Sequence, residues 1–179
     1  YVLILCLIAF LILIQFNNLT IILGMCSMVL AFSYPFMKRI TYWPQLFLGL
    51  TFNWGIIMAW TAMNNTISIE IILLYTSAIF WTLGYDTIYG LQDVIDDEII
   101  GMKSTSIKFK NNPKKFILFC YLFFIVDLFL VGYLMKFSIF YFLFLILPIL
   151  HLIFFQIYKL EVNNPFDCLS KCKSNNILG

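Results

Sequence analysis

The chain has 179 residues, 63% of them hydrophobic and 11% charged, with a mean hydropathy of +0.96. Soluble domains are about half apolar and about a quarter charged, so this composition excludes both a soluble globule and a disordered chain. A net charge of +2 is too small to direct the chain to nucleic acid, which leaves an integral membrane protein whose first partner is the lipid bilayer.

A helix needs about 20 predominantly apolar residues to cross a bilayer. In chain order, six runs qualify as spans: residues 1–16, 19–36, 44–63, 67–85, 116–135 and 137–158. Short polar connectors separate them: Asn17 with Asn18, residues 37–43, residues 64–66, and Lys136. The runs are continuously apolar rather than alternating, which predicts an all-α, polytopic transmembrane bundle and not a barrel. Residue 1 lies inside an apolar run with no basic leader, so the first run does not read as a signal peptide. Residues 171–177 read as the approach to another helix. The expectation is a single membrane-embedded domain over 1–179 that is incomplete at both ends.

The charges follow a pattern. Lys38 and Arg39 follow the second run, Lys103, Lys108, Lys110, Lys114 and Lys115 lie between the fourth and fifth, and Lys159, Lys171 and Lys173 follow the sixth. With six alternating spans, these segments share one face, which collects ten of the eleven basic residues. The positive-inside rule makes that face cytoplasmic. Five cysteines give no disulfide framework, and Cys168 and Cys172 lack the further ligands of a zinc site.

Five of the nine acidic residues (Asp86, Asp93, Asp96, Asp97 and Glu98) fall within thirteen positions of a cytoplasmic Asp-rich loop, 86–115. If the fourth run continued as helix, at about 100° per residue, Asp86, Asp93 and Asp97 would share a stripe roughly 40° wide. Asp93 and Asp97, four apart, would face one another across one turn and repel. A hard divalent cation relieves that repulsion, and Mg²⁺ binds one or two carboxylates with water and phosphate completing its shell. Lys38, Arg39 and Lys103, on the same face, suit phosphate oxygens. The spacing alone is a weak motif, and a solvated acidic loop is its plain alternative.

Other residues have two readings each. Asp127 sits near the middle of the fifth run, where a charge costs at least about 2.5 kcal/mol; it is either hydrogen-bonded to a neighbouring helix or a proton carrier. His151 and Gln156 read as a hydrogen-bonding pair between helices. Asn53 either bonds a neighbour or contacts an aromatic substrate. Tyr85 and Tyr89 flank Asp86, where they serve as interfacial anchors or turn their rings to a carbocation.

YPFMKRITYWPQLFLGLTFNWG (34–55) and GYDTIYGLQDVIDDEIIGMKST (84–105) resemble the UbiA prenyltransferase superfamily, in particular its branch acting on 4-hydroxybenzoate in ubiquinone biosynthesis. LEVNNPFDCLSKCKSN (160–175) resembles that branch's cytoplasmic segment before its last helix. The resemblance implies nine helices around a cavity open to the bilayer, of which this chain supplies about the third to the eighth. It implies two Asp-rich motifs that hold a polyprenyl diphosphate through Mg²⁺. The second motif falls on Asp93 and Asp97, with Asp86 in the same block, and an N-D-x-x-D first motif belongs upstream of residue 1.

The implied reaction is Mg²⁺-dependent transfer of the polyprenyl group to the ring of 4-hydroxybenzoate, ortho to its hydroxyl. Asp86, Asp93 and Asp97 would be catalytic, with Lys38, Arg39, Lys103, Tyr85, Tyr89 and Asn53 binding substrate. The implied location is a bacterial inner membrane or, alternatively, the mitochondrial inner membrane. Rival readings are a relative with another acceptor (homogentisate, haem or a glycerol phosphate) and a cation transporter. The transporter is disfavoured because coupling sites lie near the midplane, whereas this cluster closes a span.

Overall fold

The computed structural model describes residues 1–177, and every regular element among them is helical. Helix α1 (Val2–Leu13) runs into a turn at Asn17, whose side chain accepts the Thr20 amide N–H at 2.9 Å and so caps α2 (Asn18–Ile40). The same Asn17 donates to the Thr61 carbonyl at 2.7 Å, and Thr20 bonds the Thr61 hydroxyl at 3.0 Å. These bonds join the start of α2 to the end of a later helix, because a polar group facing lipid must find its partner within the protein.

The third expected run is two helices, α3 (Pro44–Phe52) and α4 (Trp54–Asn64), hinged at Asn53. The Asn53 amide nitrogen reaches the Gly49 carbonyl at 2.9 Å and, across the bundle, the Thr82 hydroxyl at 2.8 Å. Helix α5 (Ile69–Gly90) is the centre of the fold, with nine buried residues. Two short helices, α6 (Val94–Ile100) and α7 (Thr105–Lys108), lead to α8 (Pro113–Leu134), which starts on a proline whose missing N–H costs nothing there. Gly84 of α5 lies so close to the Tyr121 ring of α8 that a side chain there would clash. This approach lets α5 and α8 pack along their length.

The last run is irregular: α9 (Ile139–Phe144), α10 (Ile146–Leu150) and a π-helical stretch, His151–Tyr158. Pro148 carries no N–H, and the ladder rewinds just after it. A cap on Asn164 then starts α11 (Pro165–Lys173), followed by a 3₁₀ turn, Ser174–Ile177. The main core joins Ile88 of α5 and Leu91 just beyond it to Ile117 and Tyr121 of α8, Leu152 of the π segment and Cys168 of α11.

Five of the six expected spans are helical passes of 20 to 23 residues, long and apolar enough to cross a membrane. The remaining one, α1, has 12 helical residues, about 18 Å at 1.5 Å each. The bundle's outer faces carry large apolar side chains such as Ile22, Val29, Phe32 and Phe36, which suits contact with lipid tails. The segment expected as a loop over 86–115 is mostly helix, comprising the end of α5, all of α6 and α7 and the start of α8.

Candidate functional site

Three stretches distant in sequence meet at one end of the bundle. The first is the last turn of α2, where Lys38 and Arg39 stand exposed at the negative end of the helix dipole. The second is the last turn of α5, where Tyr85 and Asp86 are half-buried. Asp86 lies within electrostatic reach of Lys38 and of Tyr34 on α2, and of Cys172 on α11. The third is α11 itself, so the segments expected on the basic face converge around one carboxylate.

The continuous helix assumed for the acidic block is corrected. Helix α5 stops at Gly90, its final amides tightening into the Leu91-to-Ile88 and Gln92-to-Tyr89 bonds of 3.2 Å each. Asp93 then caps a new helix, α6, through its backbone carbonyl, which accepts the Asp97 N–H at 2.8 Å. Gly90 leaves room for α7 at this point: a side-chain carbon there would stand 2.5 Å from the Ser106 hydroxyl of α7. The chain turns there so that α7 can pack against α5, and Asp86 is separated from the stripe it was expected to share. Asp93, at the cap, and Asp97, in the first turn, stay one turn apart, with Asp93 exposed and Asp97 half-buried.

Helix α6 ends on Gly101, at φ +76, where a side chain would be strained. The Met102 N–H returns to the Asp97 carbonyl at 2.9 Å. That turn carries Lys103 back to α2: its N–H donates to the Lys38 carbonyl at 2.8 Å and its ammonium to the Ile40 carbonyl at 3.1 Å. The ammonium has three donors, so capping α2 leaves donors for an anion. Behind it, Ser104 caps α7, Thr105 bonds Thr87 of α5, and the Thr105 N–H donates to Gln45 of α3 at 3.0 Å. Ser106 donates to the Thr87 carbonyl at 2.8 Å. This buried polar hub holds α3, α5 and α7 together under the basic cluster.

Of the residues expected at the site, Lys38, Lys103, Tyr85 and Asp86 are brought together. Asn53 lies one turn deeper, bound to Thr82, which precedes Asp86 by four residues on α5. Its amide nitrogen is spent on the fold, as the neighbour-bonding reading expected. Tyr89 is 46% exposed, and no side-chain partner appears for it or for Arg39 among the described residues. Asp127 accepts from Thr76 of α5 at 2.9 Å, as its hydrogen-bonding reading expected. Gln156, by contrast, stands 3.3 Å from His151 within one π-helical segment rather than between helices. Bonds to other elements run from Gln156 to Tyr121 and from His151 to Ser174. Tyr34, Gln45, Thr87 and the Ser104–Ser106 run went unnoticed in the sequence. The one available signal was a glutamine inside an apolar run.

Among the described residues no three His, Cys, Asp or Glu side chains converge as a ready metal site. Asp93 and Asp97 nonetheless fit Mg²⁺. They are two carboxylates one helical turn apart at a water-facing end, and Asp93 does not spend its side chain on capping. Deeper in the bundle, Trp81, Phe124, Leu128, Phe144, Leu147 and His151 line an apolar cavity of about 660 Å³. The indole of Trp81 meets the ring of Tyr85 edge-on, with centroids 5.5 Å apart, so the cavity begins one turn below the charged end of α5.

Comparison with known proteins shows the family. The model of the UbiA prenyltransferase family matches residues 1–177. The mitochondrial 4-hydroxybenzoate polyprenyltransferase of Bos taurus is 44% identical over 164 residues, covering 91% of this chain and 44% of the relative. The Drosophila melanogaster protein of the same name is 40% identical over 170 residues, covering 94% and 43%. The 4-hydroxybenzoate geranyltransferase 2 of Lithospermum erythrorhizon is 40% identical over 166 residues, covering 92% and 54%. The chain thus spans less than half the length of the first two. No solved structure matches it at a significant level.

Proposed function

This chain belongs to the UbiA prenyltransferase family, and we propose that it serves the transfer of a polyprenyl group from a polyprenyl diphosphate to the ring of 4-hydroxybenzoate in ubiquinone biosynthesis. The observation that carries the reading is the junction of Lys38, Lys103 and Asp86 near the end of α5, about one turn beyond Trp81, which lines an apolar cavity. The acceptor is favoured by the relatives, whose names specify 4-hydroxybenzoate. Those that name a location are mitochondrial, which favours the mitochondrial inner membrane over the bacterial one.

The chain's residues divide the work by charge and polarity. Lys38, Arg39 and Lys103 bind the diphosphate oxygens and stabilise the charge that grows on the leaving group as the C–O bond breaks. Asp93 and Asp97 would hold Mg²⁺, which when bound would neutralise further diphosphate charge. The prenyl tail lies in the apolar cavity, whose walls keep water from the allylic carbocation. Tyr85 and Tyr89 offer ring faces to that cation. The acceptor's carboxylate pairs with Lys38 or Arg39, turning its ring toward the cation, and the carbon ortho to the hydroxyl attacks. The proton on that carbon then leaves, restoring aromaticity. Asp86 orients the Lys38 ammonium and is placed to receive a proton.

The direct test uses membranes containing the full-length protein, radiolabelled 4-hydroxybenzoate and a polyprenyl diphosphate, with and without Mg²⁺. Prenylated product that requires both substrates and Mg²⁺ supports the reading. Equal labelling of homogentisate would overturn the acceptor.

A further inference from the structure

The segment 160–175 packs against α5 without contributing a residue to the reaction described above, yet its last residue reaches into the bundle. Asn175 is 7% exposed, and its side-chain oxygen accepts two hydrogen bonds, from the Trp81 indole N–H at 3.2 Å and from Gln156 at 2.9 Å. Its own amide donates to the Cys172 carbonyl at 2.8 Å, which fixes the side chain to the end of α11. Gln156 is fully buried and accepts from the Tyr121 hydroxyl of α8. The π-helical winding of His151–Tyr158 sets Gln156 beside His151, five residues back. Four elements therefore end on one polar network, and its outermost member is Trp81.

Trp81 is held on three sides. Its N–H is taken by Asn175, its face stacks on Phe124 at 5.9 Å and 22°, and its ring meets that of Tyr85 in a T-shaped contact at 5.5 Å and 74°. Packing alone would hold an indole against Phe124 in several rotations about its own axis. The hydrogen bond selects one, and a directional bond in a low-dielectric interior is strong enough to do so. Tyr85 leans on that fixed indole beside Asp86.

We propose that Asn175 is a positioning residue: through Trp81 it holds the Tyr85 ring in the orientation that faces the allylic cation. This inference rests on the proposed role of Tyr85. Attraction between a ring and a cation depends on presenting the ring's face, so loss of the bond lowers the rate of the chemical step and leaves substrate binding nearly intact.

The experiment is a double-mutant cycle in the full-length protein, with kcat and KM measured for both substrates. Asn175→Leu is expected to lower kcat about tenfold, the scale of one weakened cation–π contact, with KM changed less than about twofold. In a Tyr85→Leu background the same substitution is expected to cost almost nothing further. Asn175→Asp, which keeps the acceptor for the indole, is expected to recover most of the rate. Where Asn175→Leu fails to fold, Trp81→Phe, which removes the indole N–H and one ring of the bicycle while keeping an aromatic ring against Phe124, serves in the same cycle. Fluorine NMR on fluorotryptophan-labelled protein is expected to show the Trp81 line shifted in Asn175→Leu before any substrate is added. Equal losses in the two backgrounds, or an unmoved Trp81 line, would overturn the positioning role. Full activity in Tyr85→Leu alone would instead overturn the reading of Tyr85.

Discussion

Thr87 and Thr105 share a hydrogen bond of 2.7 Å between two fully buried hydroxyls, eighteen residues apart in the chain. The bond spans the point where α5 ends and the chain folds back over it. It therefore fixes where Lys103, two residues before Thr105, stands relative to Asp86, one residue before Thr87. The Lys103 backbone in turn holds the Lys38 carbonyl at 2.8 Å.

That hub should be measurable as stability. Thr105→Val keeps the side chain's shape and removes the hydroxyl, leaving Thr87 to bond its own helix at the Leu83 carbonyl. The expected cost is about 1–2 kcal/mol, read as a lower thermal midpoint in detergent. An unchanged midpoint would mean that the two hydroxyls contribute nothing as a pair.

Removing either carboxylate of the α6 pair should abolish most turnover. Asp93→Ala or Asp97→Ala in the full-length protein is expected to lower kcat by at least about a hundredfold, the scale of losing a key electrostatic group. Asp127→Asn, which keeps a partner for Thr76, should cost far less. Comparable losses at Asp127 and Asp93 would place the chemistry elsewhere in the bundle.

The proximity of Asp86 to α11 predicts a pH effect that is independent of catalysis. The Cys172 thiol is pushed up to about 11, first by burial and then by the Asp86 carboxylate. A negative neighbour opposes formation of the thiolate, so Asp86→Asn should lower that pKa and speed alkylation of Cys172. Maleimide labelling of a variant whose other cysteines are replaced, followed from pH 7 to 10, would show its rate curve shifted to lower pH. Identical curves for the two proteins would mean that Asp86 and Cys172 are not neighbours.

Topology gives a fourth check. Lys103→Cys and Lys173→Cys should label from the same side of sealed vesicles, and Asn64→Cys from the other. The structure favours this, because Lys103 bonds the end of α2 while Asn64 lies at the far end of α4. Labelling of positions 103 and 64 from one side would break the alternation of the spans.

The membrane class, the helical passes and the basic face were legible in the sequence, because composition and apolar run length respond to the lipid whatever the packing inside. The readings of Asp127 and of His151 with Gln156 as hydrogen-bonded groups followed from the same physics: polar groups among lipid tails must find partners. The Asn17 bridge, the hinge at Asn53 and the π winding after Pro148 were not legible. Each depends on a partner tens of residues away or on the local ladder.

The acidic block shows the division most directly. Sequence alone established that Asp93 and Asp97 are four residues apart, and the bond from the Asp97 N–H to the Asp93 carbonyl keeps that spacing as one turn although Asp93 only caps α6. Whether Asp86 joins their stripe was decided by the break after Gly90, a position whose missing side chain leaves room for Ser106 of α7. Likewise, nothing local in Lys103, Lys38 or Asn175 announced that they would converge on the last turns of α5. Those positions were set by the return of α7 onto Thr87 and of the 3₁₀ turn after α11 onto Trp81. Local spacing is a property of the chain, and convergence is a property of packing, where the buried partners of each polar group determine which helix ends meet.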